Sequence, residues 1–210
     1  MIITRPDHDV TTNYLYHWSK PLISAAGRRH KVIDLAKKRA NASELASIIK
    51  KVGPTLIVFN GHGDESTVTG FDNEPLIKAG KNHGILKGST VYARSCRSAK
   101  ILGPRCIRSR CRAYLGYDDD FVFFIEEEKI THPLEDKTAK LFLEPSNHVV
   151  ISLLKGHSAG DSNSRSKELF KRVIQSLATS SAPRESADLV PYLIWDYIHQ
   201  VCLEEPHTFR

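Results

Sequence analysis

Methionine occurs once, tryptophan twice and cysteine only four times in the 210 residues, as Cys96, Cys106, Cys111 and Cys202. Four thiols in a chain this long do not make a disulfide framework. They fit reduced cysteines and a cytoplasmic setting. Neither a Cys-x-x-Cys nor a His-x-x-x-His pair is present. Cys106 and Cys111 sit in a predicted helix at a spacing that points them apart, which argues against zinc. Neither Gly-x-Gly-x-x-Gly nor a phosphate-binding lysine loop occurs, which argues against a nucleotide-binding module. No apolar run is long enough to span a bilayer. Met1 to Asp7 lacks the charged-then-apolar order of a secretory signal. Internal repeats, low-complexity tracts and a clear linker are also missing, so one domain over 1–210 is expected.

What is present in quantity is positive charge. Thirty Lys and Arg against 24 Asp and Glu give a formal charge of +6. Clusters lie at Arg28 to Lys31, at Lys37 to Arg39 and at Arg105, Arg108, Arg110 and Arg112. Such a balance allows contact with acidic surfaces. No recognition motif or aromatic interleaving accompanies it, so nucleic acid is not the expected partner. Cations on a solvated face near helix ends account for the same residues.

The hydrophobic pattern alternates short β-branched runs with helical periods. Ile2-Ile3-Thr4, Lys31 to Leu35, Thr55 to Asn60, Ser89 to Ala93 and Ala113 to Tyr117 read as strands. Asp9 to Ala26 reads as a helix with a kink or restart at Pro21. Asn41 opens another, with Glu44 in capping-box position, and Gly53-Pro54 closes it. A helical region is predicted from about Arg97 to Arg112, interrupted at Gly103-Pro104. Thr67 to Asp72 and Pro75 to Ile77 suggest a hairpin beside the sheet. Phe121 to Ile125 either extends the sheet or packs a loop. Helical segments near 138–143, 146–155, 163–178 and 188–203 follow. Strand–helix alternation of this kind predicts an α/β fold with a mainly parallel sheet, whose ligands meet the carboxyl ends of the strands.

Two of those ends carry chemistry. Thr55-Leu56-Ile57-Val58-Phe59-Asn60-Gly61-His62-Gly63 ends in a histidine between glycines. Ser89-Thr90-Val91-Tyr92-Ala93-Arg94-Ser95-Cys96-Arg97-Ser98 ends in a cysteine at a small-residue turn, with a helix expected at once. Unpaired N–H groups at a helix start stabilise a thiolate. Taken alone, Cys96 is as well explained as a small buried hydrophobe and His62 as a turn residue bonding its own loop. The pairing at matching strand ends is what points to an activated nucleophile.

An apolar strand ending in His-Gly, then one ending in Ser-Cys with small residues, resembles the caspase-like cysteine peptidases of clan CD. The closer likeness is to the bacterial CHAT and separase-like branch. There the strand after the cysteine leads into an acidic turn, as Ala113 to Asp120 does here. Asn147 to Gly156 also resembles that branch. The resemblance implies a flavodoxin-type three-layer sandwich and a Cys–His dyad, with Cys96 as nucleophile and His62 as base. It implies an oxyanion hole from the Gly63 and Cys96 amides, no cofactor, and an effector switched on by a protein partner or by self-cleavage. For the substrate pocket it points to Asp118, Asp119 and Asp120, and next to Asp7 and Asp9 beyond the first strand. All of these favour a basic residue before the scissile bond, although a solvated acidic turn explains Asp118 to Asp120 equally simply. Arg94 stands where animal caspases have Gln and metacaspases Asp, and argues instead for an acidic residue. The expected activity is endopeptidase cleavage of protein or peptide substrates, with a non-catalytic partner-binding scaffold as the alternative.

Overall fold

The computed structural model describes residues 1–27, 29–179 and 187–205. A six-stranded sheet forms its centre, in the order β2-β1-β3-β7-β8-β9. The strands are β1 (Ile2–Arg5), β2 (Ile33–Ala36), β3 (Leu56–Asn60), β7 (Thr90–Arg94), β8 (Ala113–Tyr117) and β9 (Gln200–Glu204). The first five are mutually parallel, and β9 runs antiparallel to β8. A small three-stranded antiparallel sheet stands beside it, made of β4 (Gly63–Asp64), β5 (Thr67–Thr69) and β6 (Pro75–Lys78). The hairpin reading of that region holds.

Both faces of the large sheet are covered, so its central strands are continuous apolar runs rather than alternating ones. Ile57, Phe59, Val91, Ala93 and Tyr114 pack on one face with Leu45 and Ile49 of α3 (Ala42–Val52) and Leu102 and Cys106 of α4 (Leu102–Arg108). Ile3, Val58, Tyr92 and Leu115 pack on the other, against three helices. These contribute Leu22 from α2 (Lys20–Ala26), Val149 and Val150 from α5 (Lys137–Leu154) and Ala159 from α6 (Ala159–Leu177). The mixed α/β class with helices on both faces is therefore as expected. Before α2 comes α1 (Val10–Trp18), which Asp9 caps through its carboxylate on Thr12 N at 2.7 Å. Pro21 sits in the first turn of α2, where its missing N–H costs nothing.

Four local readings change. The helix after Cys96 is short and late. Residues 96–101 are turns, and α4 begins at Leu102. Pro104 lies in its first turn, so Gly103-Pro104 marks the start of this helix and not a break in it. By contrast, Pro145 lies inside α5 without ending it, and its carbonyl is occupied by the Ser166 hydroxyl at 2.7 Å. The last helical segment stops early: α7 (Val190–His199) gives way to β9, with Tyr117 opposite Gln200. The Gln200 amide is held by Tyr117, Ser166 and Asn163. Those long-range bonds override the local helical period. Phe121 to Ile125 takes no sheet position; Phe121 and Phe123 pack with Tyr14, Trp18 and Tyr117.

Candidate active site

The register of β3 on β7 sets the site. Asn60 lies opposite Arg94 as the last pair of the ladder. His62 and Cys96 therefore each stand two residues beyond a paired strand end, at one edge of the sheet. The chains stay in contact past the ladder. Gly61 N donates to Arg94 O at 3.4 Å, and Ser95 Oγ donates to His62 O at 2.9 Å. A Cβ on Gly63 would collide with Ser95 Oγ and lie 3.4 Å from Cys96 O. Only glycine allows the two loops to approach so closely.

The amides flanking the edge are oriented by the same constraints. Thr69 N donates to His62 O. That bond makes Gly63 and Val68 a non-hydrogen-bonded pair of the small sheet, whose N–H groups point away from each other. Among the described residues the Cys96 amide donates no hydrogen bond. Arg97, the next residue, has φ +55° and gives its amide to Asp119 O at 2.9 Å. The backbone thus turns sharply at the sulfur, in a left-handed conformation that costs an L-residue about 1 kcal/mol or more.

Cys96 is half-buried, and its thiol donates to Phe121 O at 3.8 Å. Among the described residues no hydrogen bond joins its Sγ to the His62 ring. Burial pushes the thiol pKa up and the adjacent Asp120 carboxylate adds to this, while the Phe121 backbone and the Arg97 charge work the other way. The expectation of a helix start stabilising a thiolate is corrected here. The first amides of α4 lie six residues on, and those of Ile101 and Leu102 are already bonded to Glu65 O. The balance leaves the thiol pKa above its ordinary value.

His62 presents a 38 % exposed side chain and places Nε2 2.7 Å from Asp9 Oδ2. Asp9 is fixed in turn by Thr12, whose N and Oγ1 both reach its Oδ1, at 2.7 and 2.8 Å. Burial raises the Asp9 pKa, but the Thr12 bonds and the His62 contact outweigh it, and the carboxyl sits below its ordinary range. A carboxylate on Nε2 fixes the ring orientation and favours the proton on that nitrogen, leaving Nδ1 as the acceptor. Nδ1 carries no hydrogen bond among the described residues. Asp9, expected as a substrate contact, meets the His62 ring and caps α1. The Asp9–Thr12 cap spacing was the available signal, but nothing local links residue 9 to residue 62.

The remaining acidic candidates separate. Asp7 pairs with Lys37 Nζ at 3.0 Å. Asp118 faces α7, bonding His199 Nδ1 at 2.8 Å. Asp119 accepts the amide of Asp120, and only Asp120 reaches the sulfur's neighbourhood, pairing with Arg97 Nε at 3.0 Å. The three carboxylates thus have three different partners. Arg94 has 0 % exposure. Its Nε and Nη2 donate to Asn60 Oδ1 at 3.1 and 2.6 Å, Nη1 to Asn147 Oδ1 at 2.8 Å, and Nη2 also to Ser19 Oγ at 3.2 Å. In place of the expected substrate contact it is a buried tie between β3, α5 and the α1–α2 junction, with no surface to offer a ligand.

Sequence reasoning missed α7 altogether as part of the site. Trp195 Nε1 donates to Asp120 O at 2.9 Å, and Val122 N donates to Asp196 Oδ1 at 3.0 Å. Asp118 N donates to His199 O at 3.0 Å. One helix, remote in sequence, thus pins the segment beside Cys96 at three points. Among the described residues no group of three or more His, Cys, Asp or Glu is placed to hold a metal ion, and no helix is long and apolar enough to cross a membrane. Comparison with protein-family models gives no match, and comparison with curated proteins gives none either.

Proposed function

We propose that the chain is a cysteine endopeptidase in which Cys96, His62 and Asp9 act together, in the manner of the caspase-like peptidases its two motifs resemble. The observation that carries this reading is the strand register. It sets thiol and imidazole at equivalent positions beyond adjacent parallel strands, and the imidazole already has a carboxylate behind it. In this scheme His62 Nδ1 takes the thiol proton as Sγ attacks the scissile carbonyl. The Gly63 and Cys96 amides receive the developing oxyanion. His62 then hands the proton to the leaving amine. Finally it draws one from the water that releases the acyl group from sulfur.

Asp120 is the acidic group best placed to receive a basic side chain before the scissile bond. Its present partner Arg97 is partly exposed, at 43 % against 51 % for Asp120, and the Nε facing the carboxylate makes no hydrogen bond among the described residues. An exposed pair of this kind is held by no more than about 1 kcal/mol, so a substrate guanidinium can take its place. A fluorogenic panel with Arg, Lys, Asp or Ala at the cleavage position tests the reading. Release after Arg and Lys, abolished in Cys96→Ala, is the expected result. Absence of cleavage across the panel would count against it.

A second reading has its own support. The raised Cys96 pKa and the thiol's bond to Phe121 O suit a caspase-like scaffold that binds a protein partner without catalysis. It expects Cys96→Ala to keep partner binding at full strength.

A further inference from the structure

A concavity of about 440 Å³ lies between the chain after β8 and the start of α7, lined by Asp120, Val122, Pro191, Tyr192 and Trp195. Tyr192 and Trp195 are 44 % and 40 % exposed. Large aromatic rings are usually well covered, and these two are not loose. The Trp195 indole is tied to Asp120 O at 2.9 Å and packs on the His199 ring at 4.3 Å between centroids. Tyr192 stands edge-on to Phe124 at 4.6 Å. Val122 is held from behind by Asp196, a carboxyl with 0 % exposure. Rigid aromatic faces bind at low entropic cost because little motion remains to be lost. One of the lining residues is Asp120, the same residue that borders Cys96 and pairs with Arg97.

We propose that this concavity is a specificity subsite that takes an aromatic side chain of the peptide, a few residues from the bond presented to Cys96. The proposal rests on the peptidase reading and names the substrate class: segments joining a basic residue to a nearby aromatic one. Charge and apolarity are arranged to match, with Asp120, which borders Cys96, and the two rings in one lining. A second copy of the chain is the poorer occupant. Five lining residues fall far short of the roughly 800 Å² per partner of a stable protein interface.

The test uses Cys96→Ala protein and the peptides acetyl-Phe-Ala-Arg-amide, acetyl-Ala-Phe-Arg-amide and acetyl-Ala-Ala-Arg-amide. Binding is read by calorimetry and by tryptophan emission, to which the only other tryptophan, Trp18, contributes from a buried position. One of the Phe peptides should bind at least tenfold more tightly than the Ala peptide and shift the emission. Trp195→Ala, and independently Tyr192→Ala, should bring that ratio close to one. Equal binding of all three peptides without an emission change overturns the subsite, even if the wild-type enzyme cleaves after Arg. Selective binding of a Phe peptide that the wild type never cleaves upholds the subsite and rejects the peptidase. Concentration-dependent dimerisation lost in Trp195→Ala, with no peptide preference, assigns the surface to self-association and also overturns it.

Discussion

His62 Nε2 and Asp9 Oδ2 stand 2.7 Å apart, joining a loop after β3 to the cap of α1 across 53 positions of sequence. Asp9 has two duties here, capping a helix and holding a ring, and two substitutions separate them. Asn is as good an N-cap as Asp. Asp9→Asn should therefore keep the unfolding free energy within about 0.5 kcal/mol, while Asp9→Ala should lose about 1 kcal/mol. In the proposed peptidase both should slow peptide cleavage at least tenfold, because neither an amide nor a methyl group can hold the imidazolium of the reaction. Urea titration and kcat/KM on the same preparations check the pair. Unchanged kcat/KM in Asp9→Asn would leave the carboxylate as a cap alone.

Gly63 is constrained by space and not by φ. A methyl group there meets Ser95 Oγ and the Thr67 carbonyl. Gly63→Ala should cost about 1–3 kcal/mol, the usual penalty for overpacking. It should also pry the two loops apart, so that cleavage falls further than stability. Replacing Ser95 with glycine in the same chain should recover part of the loss, and Tm together with kcat/KM would show it.

Arg94 is a buried cation whose four hydrogen bonds all end on neutral oxygens. Burial lowers its pKa, although a guanidinium stays protonated. Removing it leaves the buried Oδ1 atoms of Asn60 and Asn147 without a donor, so Arg94→Ala should cost about 3 kcal/mol or more. Arg94→Lys should recover little, since an ammonium cannot reproduce the planar fork. A urea midpoint unmoved by either change would contradict the role given to this residue.

Asp196 is fully buried, and its Oδ2 has no partner among the described residues. Burial drives its pKa well above 3.8, opposed only by the bond from Val122 N. The folded state therefore holds a proton that the unfolded chain releases near pH 4. Folded protein binds more protons than unfolded above that pH, so this residue makes stability fall as pH rises from about 4 through the raised pKa. Asp196→Asn should remove that slope while keeping an acceptor for Val122. Asp196→Ala should remove the slope and the acceptor, costing about 1–3 kcal/mol. Unfolding free energies between pH 4 and 8 give the comparison; a slope that survives in Asp196→Asn would mean another group carries it.

The five parallel strands of the sheet were legible because burial on both faces writes itself as unbroken apolar runs, as in Leu56 to Phe59. Asn41, Glu44 and Gly53 marked the ends of α3 for equally local reasons. What escaped depends on contacts far apart in sequence. Gln200 leaves the helix because Tyr117, Ser166 and Asn163 hold its side chain. Asp9 meets His62, and Arg94 is enclosed, only once α1, α2 and α5 cover that face. The turn at Arg97 is a further case: a left-handed residue directly after the cysteine is invisible in a run of ordinary side chains. His62 and Cys96 were found because strand ends are local features. Their surroundings were not, because three separate elements build them.

Covalent capture of Cys96 by a peptidyl-arginine chloromethylketone tests the central claim most directly. Burial holds the competing thiols protonated, with Cys111 and Cys202 pushed up to about 12 and Cys106 raised as well. With His62 and Asp9 serving the sulfur, one equivalent should add to Cys96 at least a hundredfold faster than to the other three, with the rate lost in Cys96→Ala and slowed at least tenfold in His62→Ala. Slow labelling of Cys96 that is indifferent to His62 would contradict the account.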